Sequence, residues 1–212
     1  MEMFDLLFDH FGPQRWWPAE TRLEVIVGTI LTQNTNWANV EKAIKNLKER
    51  GFLSLKCLYS LDLSELANTI RPAGYFNIKA QRLRNLISFI MEQYGDLSRF
   101  LDEKTAVLRE RLLSVKGVGP ETADSILLYA AGRPAFVIDA YTHRILSRHH
   151  TIEEETTYEA LQLLFVEHLP EDPVLFNEFH ALIVRTGKDF CRKKPRCNLC
   201  PLTDWGIISP LC

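Results

Sequence analysis

A chain of 212 residues, 46% hydrophobic and 25% charged, is long enough to bury a substantial core as one large domain or two lobes. No window approaches the roughly 18 uncharged residues of a membrane span. The opening residues carry Glu2, Asp5 and Asp9 without a sustained apolar run, so no signal peptide is expected and the expected location is the cytoplasm, or the nucleus of a eukaryote. The net charge of −2 gives no global polyanion signature, but its distribution is uneven. Residues 151–178 hold eight acids and no Lys or Arg, whereas residues 181–200 hold Arg185, Lys188, Arg192, Lys193, Lys194 and Arg196 against the single Asp189. Such a basic patch suggests a localised polyanion contact, though charge runs are more often solvated faces.

The periodicity is helical nearly throughout. Thr21-Arg22-Leu23-Glu24 reads as a capping box ahead of the apolar run 25–31. Val40, Ala43, Ile44 and Leu47 form a stripe closed by Gly51. Asp62 with Glu65 starts a short helix, and Asn77 is placed to cap a long one through Leu83, Leu86, Ile87 and Ile90. Val107, Leu108, Leu112 and Leu113 mark a helix running into Lys116-Gly117-Val118-Gly119, and Pro120 opens the next through Ala123, Ile126, Leu127 and Ala130. Further helices fit 140–148, 156–168 and 173–186. The one β-leaning run, 136–138, is too short for a sheet, so the expected class is all-α.

Three groups of residues carry chemistry. In the turn, Gly117 and Gly119 allow close backbone approach, and the following helix start favours an anion such as one phosphate of a nucleic acid; a bare interhelical turn is the simpler alternative. Asp139 follows about twenty residues later, as the N-cap of helix 140–148 and, compatibly with that, as a carboxylate presented beside the turn. Cys191, Cys197, Cys200 and Cys212 crowd the last 22 residues among Lys and Arg, a soft donor set suited to a [4Fe–4S] cluster or, less well, to structural zinc. Cys57, alone in a helical region, reads as a buried thiol. Trp16-Trp17-Pro18 and Thr32-Gln33-Asn34-Thr35-Asn36-Trp37 flank the first main helix. Trp16 reads as core, while Trp37 follows five polar residues and is expected to be exposed.

The pattern Leu-x-x-x-Gly-Val-Gly-x-x-Thr-Ala-x-x-Ile, then Val-Ile-Asp before Thr-His-Arg, resembles the helix-hairpin-helix glycosylases of the endonuclease III superfamily. The resemblance covers roughly residues 16–200. It implies a two-lobed fold with a C-terminal iron–sulfur loop: a six-helix lobe over 22–134 ending in the hairpin, and a second lobe joining 1–21 to 135–212. Double-stranded DNA containing a damaged base would lie between the lobes, with Asp139 stabilising the oxocarbenium-like sugar and aligning or deprotonating a water. Lys116, Gly117, Val118, Gly119, Arg192, Lys193 and Lys194 would meet the DNA backbone. Members that also nick the strand carry a lysine at the position of Glu121, which cannot form a Schiff base, so a monofunctional enzyme is expected. The four cysteines resemble the family's cluster set, with both outer spacings altered.

Trp-Trp-Pro and Thr-Gln-Asn-Thr followed by an aromatic are similar to the 3-methyladenine DNA glycosylase branch. There they imply that Trp17 and Trp37, beside Pro18, sandwich a flipped base, with Gln33 or Asn34 as the wedge that fills the duplex. A cationic alkylated purine suits stacking between indoles. Gly74-Tyr75-Phe76-Asn77-Ile78-Lys79-Ala80 also matches the family, with Phe76 and Lys79 read as packing and backbone contacts. The chain is therefore expected to be a monomer, without membrane contact, that excises an alkylated purine such as 3-methyladenine. The alternatives are an endonuclease III-like glycosylase/AP lyase for oxidised pyrimidines or mismatched thymine or uracil, and a non-catalytic DNA-binding or redox-sensing iron–sulfur protein.

Overall fold

The computed structural model describes residues 1–206; Cys212 lies outside them. The described residues form α-helices and short helical turns without a β-strand, and no helix among them is long and apolar enough to cross a membrane. The chain divides into two compact units, one of residues 19–133 and one of residues 1–18 with 134–212.

The unit 19–133 is built around α2 (Arg22–Thr32). Thr21 caps it by accepting the Glu24 N–H at 3.1 Å, and the Glu24 carboxylate accepts the Glu20 N–H at 3.1 Å, one residue earlier than in the usual box. Lys48 Nζ, 3.0 Å from Glu24, neutralises that nearly buried carboxylate. Every residue from Leu23 to Leu31 is buried, so α2 is covered all round. It packs against α3 (Trp37–Glu49), α6 (Phe76–Tyr94) and α9 (Pro120–Ser125). The stripe Val40, Ala43, Ile44 and Leu47 is the buried face of α3.

The unit also contains α4 (Leu55–Ser60), α5 (Leu63–Thr69), α7 (Leu97–Leu101) and α8 (Thr105–Ser114). It therefore has eight α-helices where six were expected. The additional two, α4 and α7, are single-turn pieces capped by Ser54 and Asp96. Asn77 does not cap α6: the helix already begins at Phe76, behind Tyr75 in the left-handed region (φ +45°). Cys57 is half-buried rather than buried. Past Ser125 the α9 helix widens into a π turn over Ile126–Ala130, where Ala131 N–H donates to the Ile126 carbonyl at 3.0 Å. Arg109 grips the fully buried Asp124 through two bonds of 2.7 and 3.0 Å, tying α8 to α9 on either side of the turn between them.

The second unit contains α1 (Glu2–Phe11), α10 (Ala140–Arg148), α11 (Tyr158–Val166) and α12 (Pro173–Asp189), with α12 packed on both α1 and α10. Phe136 stacks on Phe165 at 4.0 Å and meets Phe176 and Phe179 edge-on. The run 136–138 is thus not a strand but a buried connecting segment that delivers Asp139 to the head of α10.

Lys79, a charged side chain, is among the largest fully buried ones of the described residues. Its ammonium donates to the carbonyls of Leu31 (2.8 Å) and Ala73 (2.7 Å), closing the end of α2. Burial, with the Arg82 guanidinium adding to it, pushes Lys79 down to about 8 from 10.5. The unfolded chain then binds the proton more tightly, so this group makes stability rise as pH climbs between those two values. Lys79→Met, which leaves both carbonyls without their donor, is expected to cost about 2–4 kcal/mol and to abolish that rise. Urea unfolding at pH 7 and pH 9 measures both effects.

Candidate active site

Asp139 is the N-cap of α10. Its Oδ1 accepts the Thr142 N–H at 2.8 Å and the Thr142 hydroxyl at 2.9 Å. Oδ2 lies 3.7 Å from Nε2 of His180 on α12, an electrostatic contact rather than a formed hydrogen bond. The two side chains are 11% and 8% exposed, so the carboxylate is nearly buried yet retains an open edge. Burial pushes its pKa up, but the nearness of His180 and the Thr142 donors outweigh it and hold Asp139 below the usual carboxylate range. The cap expected from the sequence is present, and it leaves one carboxylate oxygen without a bond to Thr142. At neutral pH it is an anion beside helix dipoles that favour negative charge.

Helix α12 organises the surroundings. Gly187 allows Tyr141 of α10 to lie against its backbone: a Cβ there would stand 2.2 Å from Tyr141 Cδ1. Arg144 covers the Tyr141 ring at 4.9 Å and donates to the Cys191 and Gly187 carbonyls at 2.8 and 3.3 Å. Near the other end, Glu178 accepts the Gln14 N–H at 2.5 Å. Lys188 places its ammonium 5.8 Å over the Trp16 ring.

In the hairpin, Gly117 has φ +101°, and a Cβ would meet the Arg82 stem at 2.4 Å. Gly119 is exposed, and a Cβ there would meet nothing within 4 Å, so the fold itself does not demand glycine at this position. Val118 is buried and anchors the turn; only its backbone is available to a ligand. Lys116 and Glu121 are exposed.

Gln33 is half-buried and bound to the hairpin. Its amide nitrogen donates to the Gly117 carbonyl (3.3 Å) and Thr122 Oγ1 (3.0 Å), and its oxygen accepts from Arg82. Asn34 is exposed at φ +52°. Trp37 is half-buried rather than exposed, and its indole N–H donates to Glu41 at 2.8 Å. Trp16 and Trp17 are half-buried with ring centroids 5.3 Å apart, and Pro18 is exposed. Trp17 and Trp37 belong to different units.

Cys191, Cys197 and Cys200 line one cavity with Ile145, Phe190 and Leu202. Arg148 Nη1 donates to Cys191 Sγ at 3.3 Å. Burial, chiefly, and the nearby Cys191 push the Cys200 thiol up against a hydrogen bond from the Leu202 backbone. Among the described residues no three His, Cys, Asp or Glu side chains are grouped so as to hold one metal ion. Arg192, Lys193 and Lys194 are exposed on the intervening loop.

The family model of HhH-GPD superfamily base excision DNA repair proteins matches residues 27–171. A Methanocaldococcus jannaschii protein provisionally named a DNA repair glycosylase is 49% identical over 97% of this chain and 94% of its own. The chain belongs to the HhH-GPD superfamily. An H. pylori 3-methyladenine DNA glycosylase (MagIII), solved bound to 1,N6-ethenoadenine, is 31% identical with a TM-score of 0.76, covering 88% of this chain and 96% of that one. A trapped endonuclease III–DNA covalent intermediate shares the fold, with a TM-score of 0.82 at 21% identity over 95% of this chain and 91% of that one. As an HhH-GPD protein the chain is a base excision repair DNA glycosylase.

Within this HhH-GPD chain, the nearness of His180 to Asp139 leaves no mark in the sequence. The two lie 41 positions apart, and a lone histidine in an apolar helix carries no signal of the contact. Nor does the sequence mark Tyr75, 70% exposed at the head of α6. Gly187→Ala must push α12 away from the helix that Asp139 caps. It is expected to destabilise the protein by about 1–3 kcal/mol and to lower excision, read by thermal unfolding and single-turnover kinetics.

Proposed function

We propose that this protein is a monofunctional DNA glycosylase that hydrolyses the N-glycosidic bond of an alkylated purine, most simply 3-methyladenine. The observation that carries the hydrolytic reading is Asp139: an ionised, nearly buried carboxylate with one oxygen committed to Thr142 and the other turned to a polar edge. A fixed anion of this kind stabilises an oxocarbenium-like sugar and can align a water against its C1′. Glu121 stands where the strand-nicking members carry lysine, and a carboxylate cannot form an imine with the sugar. Gly119 supports a phosphate contact at the hairpin, since its small size serves no packing within the protein. Lys116, Gly117 and the exposed Arg192, Lys193 and Lys194 supply further backbone contacts.

Trp17 and Trp37 are proposed to stack on the flipped base beside Pro18, with the Glu41 carboxylate at the Trp37 indole favouring a cationic purine. The Lys188 ammonium over Trp16 favours a second reading, a neutral alkylated purine, since it is a cation close to the Trp pair. Gln33 is occupied at the hairpin, so Asn34 is the better wedge of the two, and the exposed Tyr75 is a second candidate. The soft donors Cys191, Cys197 and Cys200 converging on one apolar-walled cavity suit a [4Fe–4S] cluster, with Cys212 as the expected fourth ligand. Bound there, the cluster would supply structural order to the basic loop. Structural zinc on the same four cysteines is the alternative occupant.

A panel of duplexes with alkylated, deaminated, oxidised or mismatched bases, run with and without alkali, tests the reading. Excision of 3-methyladenine, with strand breaks only after alkali and no borohydride-trapped adduct, is expected. Preference for an oxidised pyrimidine or mismatched thymine, or efficient trapping, contradicts it. Preference for an etheno-purine over 3-methyladenine selects the neutral-base reading.

A further inference from the structure

Asp139 presents two chemically different oxygens. Oδ1 already accepts two hydrogen bonds from Thr142, at 2.8 and 2.9 Å, and is spent on holding the helix start. Oδ2 is the oxygen left to act on a sugar, and the group facing it is His180 Nε2 at 3.7 Å. His180 itself is fixed by the packing of α12, whose neighbouring Phe179 meets Phe4 and Phe136 edge-on. We propose that His180 is a positioning residue for excision: its Nε2 edge, facing Asp139 Oδ2, fixes the direction of that oxygen. This rests on the reading of Asp139 as the catalytic carboxylate.

The surroundings leave this role to His180. Of the elements packed on α12, α10 brings Asp139 at its head, the half-buried His143 one turn on, and Arg144, which is engaged by the Cys191 and Gly187 carbonyls. α1 brings its buried Met3 and Leu7 and the ring of Phe4, while its acids Glu2, Asp5 and Asp9 are exposed and His10 meets Phe11 and Phe190 edge-on. On α12 itself, Glu178 is engaged by the Gln14 N–H, Arg185 pairs with Asp189, and Lys188 lies over Trp16. Without His180, the burial that pushes Asp139 up would be opposed by the Thr142 donors alone. The carboxylate would then be easier to protonate and freer to turn.

The test is single-turnover excision of the preferred base across the acidic pH range, by wild type, His180→Ala, His180→Gln and Asp139→Asn, with affinity for a duplex carrying an uncleavable abasic analogue measured alongside. His180→Ala is expected to slow excision about 10- to 100-fold at neutral pH and to move the acidic limb of the rate profile upward by about one unit or more, with affinity unchanged. His180→Gln keeps a donor near the same place. It is expected to recover part of the neutral-pH rate while its limb stays raised, and it stands in for the alanine variant should that fail to fold. An acidic limb that does not move in either variant, whatever the rate, overturns the proposal, because a residue that only supports packing lowers the rate without altering when Asp139 protonates. Asp139→Asn separates the two levels. If it still excises, the catalytic reading of Asp139 fails; if it is inactive while the His180 variants match wild type, only the role of His180 fails.

Discussion

The bond from the Thr142 backbone N–H to Asp139 Oδ1, 2.8 Å long, is the constraint on which the active site depends. It satisfies an orphan donor at the start of α10 and in doing so fixes a carboxylate at the end of a buried connecting segment. The same geometry uses one oxygen and spares the other, so the cap is compatible with the chemical role proposed for the same side chain. Holding an anion where it is nearly buried is costly unless donors surround it; here they are the helix start and the Thr142 hydroxyl, with the edge of His180 nearby.

Around this point α12 serves as the frame. Along one helix it supports the segment before the Trp pair through Glu178, faces Asp139 with His180, seats Tyr141 at Gly187 and runs into the cysteine loop. The missing side chain at Gly187 is what lets α10 and α12 approach closely. In the other unit, Arg82 plays a comparable part, its stem lying under Gly117 while its guanidinium holds Gln33. The hairpin is therefore braced from the end of α2 as well as by the Arg109–Asp124 pair.

The sequence made local features legible and distant ones opaque. The capping box at Thr21, the stripe of α3, Pro120 opening a helix and Asp139 capping another are written in adjacent residues, and each is found where its spacing implied. Helices α4 and α7 were missed because a single turn is too short to show a hydrophobic period; only their caps, Ser54 and Asp96, marked them. Asn77 looked like a cap because Tyr75, in a left-handed conformation, starts the helix earlier than a bulky residue normally would. The hold on Gln33 comes from residues 49 to 89 positions away. No pattern within the Thr-Gln-Asn-Thr motif records it. His180 is invisible for the same reason.

The claim at the centre is that Asp139 is held ionised inside the protein, ready to meet a developing positive charge. A pH titration of its carboxyl carbon by 13C NMR, assigned with Asp139→Asn, reads this directly. A midpoint below 3.8, the ordinary value for the group, or no titration down to the pH of acid unfolding, is the expected result. A midpoint at or above that value would show that burial wins over His180 and Thr142, and would contradict a carboxylate poised for hydrolysis.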